Sequence, residues 1–114
     1  MAANANGPKG TPQTVAVLRA LLDSSTGEMY GTEICAAAGL ASGTIHPILA
    51  RLEGLGWLDS RWEDINPQER GRPRRRYYSL STQGAESARV LVEQADERRA
   101  RLQAMRPGLA GGAI

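Results

Sequence analysis

Apolar residues recur every three or four positions over most of this chain, and every second position in one stretch between residues 57 and 80. The first helical stretch follows Thr11-Pro12. Thr11 suits an N-cap, and Pro12 suits the first helical position, where its missing N–H has no partner to lose. Val15, Leu18, Leu21 and Leu22 then form one apolar stripe, which the polar turn Asp23-Ser24-Ser25-Thr26-Gly27 ends. Tyr30-Gly31 introduces a short helix over about Thr32 to Ala38, with Gly39 as its C-cap. Ser42 is read as the N-cap of a third helix over about 42–55. There Ile45, Ile48, Leu49, Leu52 and Leu55 share a face. The opposite face carries Gly43, Thr44, His46, Pro47, Ala50 and Arg51, and Gly54 and Gly56 bracket the end. Two helices joined by a glycine-containing turn, the second with one apolar and one small-polar face, form a helix-turn-helix pattern.

The period then changes. From Trp57 to Glu63, Leu58, Ser60 and Trp62 alternate with Asp59, Arg61 and Glu63. Residues 64–73 hold two prolines, a glycine and Asn66-Pro67, which predict a loop. Arg74 to Leu80 resumes as a strand with Tyr78 and Leu80 on one face, and Trp62 is expected to pair with Tyr78 across the hairpin. From Thr82, read as an N-cap, a longer helix runs to about Met105 before Pro107-Gly108. Ala88, Leu91, Ala95, Leu102 and Met105 form its seam, interrupted by Arg98. The preceding elements are expected to complete a core by themselves, so a second copy of the chain is the expected cover for this seam. The predicted fold is α+β, mainly α: a winged helix-turn-helix with a two-stranded wing and a long C-terminal dimerisation helix. Its parts are a flexible arm over 1–10, a winged-helix domain over 11–81, the helix over 82–106 and a disordered tail over 107–114.

The length of 114 residues suits one domain. No apolar run approaches the ~20 residues of a membrane span, and MAANANGPKG lacks an apolar signal core, so the cytoplasm is the expected location. The single Cys35 has no internal disulfide partner and reads as a small apolar residue on a helix. One His, one Cys and the lack of any metal-ligand cluster, phosphate loop or apolar carboxylate pair argue against an enzyme, a cofactor or a metal.

Charge changes the picture more. The net charge is only +2, but residues 70–76 hold Arg70, Arg72, Arg74, Arg75 and Arg76 with no acid among them. Such a block favours a polyanionic partner. At the tip of a wing it predicts contact with the backbone or minor groove of double-stranded DNA, with Arg72 and Arg74 leading. The third helix would present Ser42, Thr44, His46 and Arg51 to the major groove, with Pro47 kinking it slightly. A competing reading is a protein-interaction module whose basic tip docks an acidic partner. Trp57, Trp62 and Tyr78 read as packing residues, with an effector pocket near the dimer cleft as the other possibility.

Tyr30-Gly31, Gly43-Thr44-Ile45, Pro47, Leu49, Arg51-Leu52-Glu53, Gly56, Gly71-Arg72-Pro73-Arg74, Tyr77-Tyr78, Leu80 and Gly84 together resemble the PadR family of bacterial transcriptional regulators, over roughly residues 12–105. His46 stands where that family usually has Tyr, and the connector before Gly43-Thr44 is shorter, closer to the MarR type. The resemblance implies a winged-helix homodimer, usually a repressor, joined through C-terminal helices. The compact length resembles the family's shorter subgroup. A small-molecule effector, if one acts here, is not identified by the sequence.

Overall fold

The computed structural model describes residues 7–105. Thr11 caps the first helix, α1 (Pro12–Leu22), its side-chain oxygen accepting the Thr14 N–H at 3.2 Å. Val15, Leu18 and Leu21 point inward, and Thr14, Val17 and Ala20 are buried with them, so α1 is covered over a wider arc than one stripe. A two-residue strand, β1 (Met29–Tyr30), follows and leads directly into α2 (Gly31–Ala38). The Glu33 carboxylate accepts the Tyr30 N–H at 3.1 Å, and Gly39 closes α2 at φ 71°, a conformation that favours glycine. In α3 (Ser42–Gly54), Ile45, Leu49 and Leu52 are buried and Ile48 is half-buried. Its N-cap is Ala41 rather than Ser42: Ala41 is the last extended residue, which leaves Ser42 exposed in the first helical turn.

The wing sheet has three strands, not two. β2 (Leu58–Trp62) and β3 (Arg76–Leu80) run antiparallel, and β1 adds to the far edge of β3. The expected Trp62–Tyr78 pair does not form, because Ser60 stands opposite Tyr78 and Trp62 opposite Arg76. The tip sets this register. The Glu63 N–H bonds the Arg75 carbonyl at 2.8 Å, and the loop beyond folds into one helical turn, α4 (Pro67–Arg70). Asn66 caps that turn and Gly71 closes it at φ 69°. β3 therefore starts at Arg76, two residues later than the sequence pattern suggests.

Ser81, not Thr82, caps the last helix, α5 (Thr82–Ala104). Its Oγ accepts the Gly84 N–H at 2.9 Å and donates to the Gly56 carbonyl at 2.8 Å, fastening α5 to the turn after α3. Gly84 is required here, since a Cβ would lie 2.1 Å from the Trp57 carbonyl oxygen. The first half of α5 also completes the core: Ala88 is fully buried, Val92 is buried, and Leu91 and Ala95 pack against the same cluster. Contrary to expectation, the elements before α5 do not close the core by themselves, and Ala88 has no surface left for a partner. Arg19 and Asp96 join α1 to α5 in a two-pronged ion pair, with a shortest distance of 2.7 Å. Farther along, Leu102 and Met105 are 52% and 74% exposed. The expected arm lies partly, and the expected tail wholly, outside the described residues. Among the described residues, no single helix is long and apolar enough to cross a membrane.

Candidate nucleic-acid interface

Because α3 buries Ile45, Leu49 and Leu52, its other face is left to solvent. Ser42, Thr44, His46, Pro47 and Arg51 are all exposed there, together with Gly43 and Ala50. Nothing in the fold calls for glycine at 43, since a Cβ would meet no atom within 4 Å. Glycine in a helix costs up to about 1 kcal/mol relative to alanine. Its effect at this position is to keep the helix surface low. His46 lies near the start of α2, its Cε1 3.7 Å from where a Gly31 Cβ would be.

The arginines of the wing are not equivalent. Glu63, at the base of the tip, accepts Arg72 Nη1 at 2.7 Å and Nη2 at 3.0 Å, and the Arg75 backbone N–H at 3.2 Å. The Arg72 guanidinium is the main reason the Glu63 carboxyl titrates far below the usual carboxylate range, at about 2; the Arg75 N–H adds to this and desolvation opposes it. Arg72, expected to lead the contacts with DNA, is thus half-buried and engaged as a brace. Arg74 Nε donates to the Ile65 carbonyl at 2.9 Å, while the residue remains exposed. The Arg75 guanidinium lies 4.2 Å from the Tyr30 ring centroid. Arg76 reaches the other way. It donates to Ser60 Oγ at 2.7 Å, approaches Glu53 of α3 at 3.5 Å, and lies 5.0 Å from the Trp62 ring centroid. Arg70 is exposed at the end of α4. The ion pairs among the described residues join Arg19 to Asp96, Arg61 to Glu28, Arg72 to Glu63 and Arg76 to Glu53; Arg51, Arg70 and Arg74 enter none of them.

Helix and wing meet. Ser42 and His46 of α3, Tyr30 before α2, and Arg75, Arg76 and Tyr78 of the wing line one cleft of about 250 Å³. A separate groove of about 410 Å³ runs between α1 and α5, lined by Val15, Arg19, Ala95, Arg98 and Leu102 among others. Of the residues expected at a subunit seam, Leu91 and Ala95 are half-covered by the chain itself, and Leu102 and Met105 are exposed. Sequence reasoning missed Glu63 and Glu53 as partners of the arginines. The signal was weak, since both acids precede the cationic block, Glu63 seven and Glu53 seventeen residues before Arg70.

No curated protein matches the sequence. Solved structures do match the fold. A PadR family transcription regulator from Clostridium difficile R20291 aligns at a TM-score of 0.62 and 24% identity, covering 87% of this chain and 99% of that one. Sso10a-2, a DNA-binding protein from Sulfolobus solfataricus, aligns at 0.61 and 17%, covering 86% and 93%. BpsR of Bordetella bronchiseptica, whose DNA binding is regulated by 6-hydroxynicotinic acid, aligns at 0.60 and 18%, covering 89% and 69%. Residues 17–90, from α1 into the first half of α5, match the transcriptional regulator PadR-like family, and the chain belongs to that family of winged-helix, DNA-binding transcription regulators.

Proposed function

We propose that the protein is a homodimeric repressor that occupies a two-fold-related duplex site, with α3 in the major groove and the wing on the adjoining backbone or minor groove. The observation that carries this reading is the cleft shared by Ser42 and His46 of α3 with Arg75 and Arg76 of the wing, which joins a bare helix face to a cationic tip. In this arrangement Thr44, His46 and Arg51 meet base edges, Arg51 being able to bond guanine with two N–H groups. Ser42 and Pro47 lie at the margin of the contact. Arg70 and Arg74, which enter no ion pair among the described residues, offer uncompensated charge to phosphates or a narrow minor groove, Arg74 through the guanidinium nitrogens that Ile65 does not engage; such contacts position the protein without reading sequence. Arg75 and Arg76 add charge at the cleft, and Arg72 acts through the shape of the tip.

The second copy covers the distal seam of α5. Leu102 and Met105 supply its exposed apolar surface, and Leu91 and Ala95 its half-covered part. Selection of bound fragments from the source genome tests the reading as a whole. Two inverted half-sites about one helical turn apart, or a multiple of it, are the expected result. A mobility shift on random duplex should show weak binding that fades with salt, whereas no shift at low salt would favour an acidic protein as the partner. By light scattering, polar substitutions at Leu102 and Met105 should give monomers; an unchanged dimer would place the seam elsewhere.

A further inference from the structure

Trp62 is out of place for a residue of its kind. It is 58% exposed, while the other exposed large hydrophobic residues among those described, Val90, Leu102 and Met105, all lie on or at the end of α5. Within the winged domain a tryptophan this exposed is therefore the exception, since tryptophan is on average largely buried. Its direction follows from the strand. Leu58, Ser60 and Trp62 alternate onto one face of β2; Leu58 is in the core and Ser60 Oγ donates to Glu53 of α3 at 2.5 Å. Trp62 thus extends the α3-facing side of the wing past the end of the core.

We propose that Trp62 is a DNA-contacting residue, its indole lying against deoxyribose while Arg74 beside it takes an adjoining phosphate. This rests on the reading of α3 and the wing as the duplex-binding surface. Trp62 shares a hollow with Pro67, Pro73 and Arg74, and no acid lines it. The Arg76 guanidinium stands 5.0 Å from the indole centroid and is itself held by Ser60 Oγ at 2.7 Å and Glu53 at 3.5 Å, so it backs the indole rather than reaching outward. An apolar plate with an uncompensated cation at its edge matches a strand of DNA, in which apolar sugars alternate with anionic phosphates. It fits a cationic or purely apolar protein surface poorly. The indole is also backed by a fixed guanidinium, so little side-chain freedom remains to be lost on contact.

The test uses the full chain as wild type, W62F and W62A, titrated with a short random duplex at low salt. Mobility shift and tryptophan emission are read in parallel. Trp57 is the sole other tryptophan and is common to all three proteins. Wild type should show a saturable emission change with the same midpoint as the shift, and W62F should bind with that change absent. W62A should weaken binding about threefold to tenfold on every sequence, with melting close to wild type. A shift with no Trp62-dependent emission change, or W62A binding as wild type does, overturns the contact while leaving the DNA-binding reading intact. Absence of any shift overturns both. If W62A fails to fold, the comparison of wild type with W62F still decides.

Discussion

The exposed face of α3 and the tip of the wing are built on opposite principles. On α3 the side chains at 42, 44, 46, 47 and 51 are exposed on a helix whose other face is anchored by Ile45, Leu49 and Leu52. The helix alone fixes their spacing. The wing has no such backing, since its tip between β2 and β3 buries nothing large. Its shape is held by polar contacts instead: Glu63 to Arg72 and to the Arg75 N–H, Arg74 to the Ile65 carbonyl, Arg75 to Tyr30, and Arg76 to Ser60 and Glu53. A block that reads as five interchangeable cations is therefore partly scaffold and partly free charge. Under the proposed function, the difference assigns discrimination and grip to different elements. In the wing, part of the charge is used to hold the rest in position before any partner arrives.

This contrast can be broken at either end. The largest effect is expected on α3: Arg51→Ala should cost about 1–3 kcal/mol on a selected site and little on random duplex. Equal losses on both would make Arg51 a phosphate contact. Gly43→Ala should separate fold from function, raising stability by up to about 1 kcal/mol while weakening DNA binding by crowding the groove. Thermal melting with a mobility shift reads both, and an alanine that strengthens binding would remove the argument for a low helix surface. Glu63→Gln makes the tip more cationic, yet should weaken binding about threefold on all sequences because Arg72 and Arg75 lose their brace. A gain in affinity would mean that net charge outweighs shape.

The smallest effect is in pH. The Glu63 carboxyl is lowered from 4.5 to about 2, so its pairing stabilises the folded tip fully above pH 4.5 and is lost as pH falls toward 2. Glu28, paired with Arg61, and Asp96, paired with Arg19, are lowered in the same direction and share in the loss. Side-chain carboxyl NMR should give Glu63 a midpoint near 2, and a midpoint near 4.5 would show that the brace is not formed.

Much of this was legible in the residues. The three N-terminal helices announce themselves through 3.6-residue periodicity and end signals such as Thr11-Pro12 and Gly39. Two caps fall one residue earlier than read, at Ala41 and Ser81, because adjacent small or hydroxylated residues compete for one backbone position. β1 has only two residues, too few for any alternation to show. The register of β2 on β3 depends on the turn at Pro67–Arg70, a tertiary choice that strand patterning does not encode, and it left Trp62 opposite Arg76. The seam of α5 was visible, but not that Ala88 and Val92 lie within the chain's own core. In the wing, residue type marked the arginines as candidate DNA contacts; only geometry separated Arg72, facing Glu63, from Arg70 and Arg74, which enter no ion pair among the described residues.

That separation is tested most directly by the salt dependence of binding to random duplex for wild type and for a variant with both Arg70→Ala and Arg74→Ala. Two guanidinium groups per protomer that enter no ion pair among the described residues, doubled in a dimer, should flatten the slope of log affinity against log salt by about 3–4. Arg72→Ala, which removes a brace rather than a phosphate contact, should lower affinity with a smaller change in slope. An unchanged slope in the double variant would contradict the account.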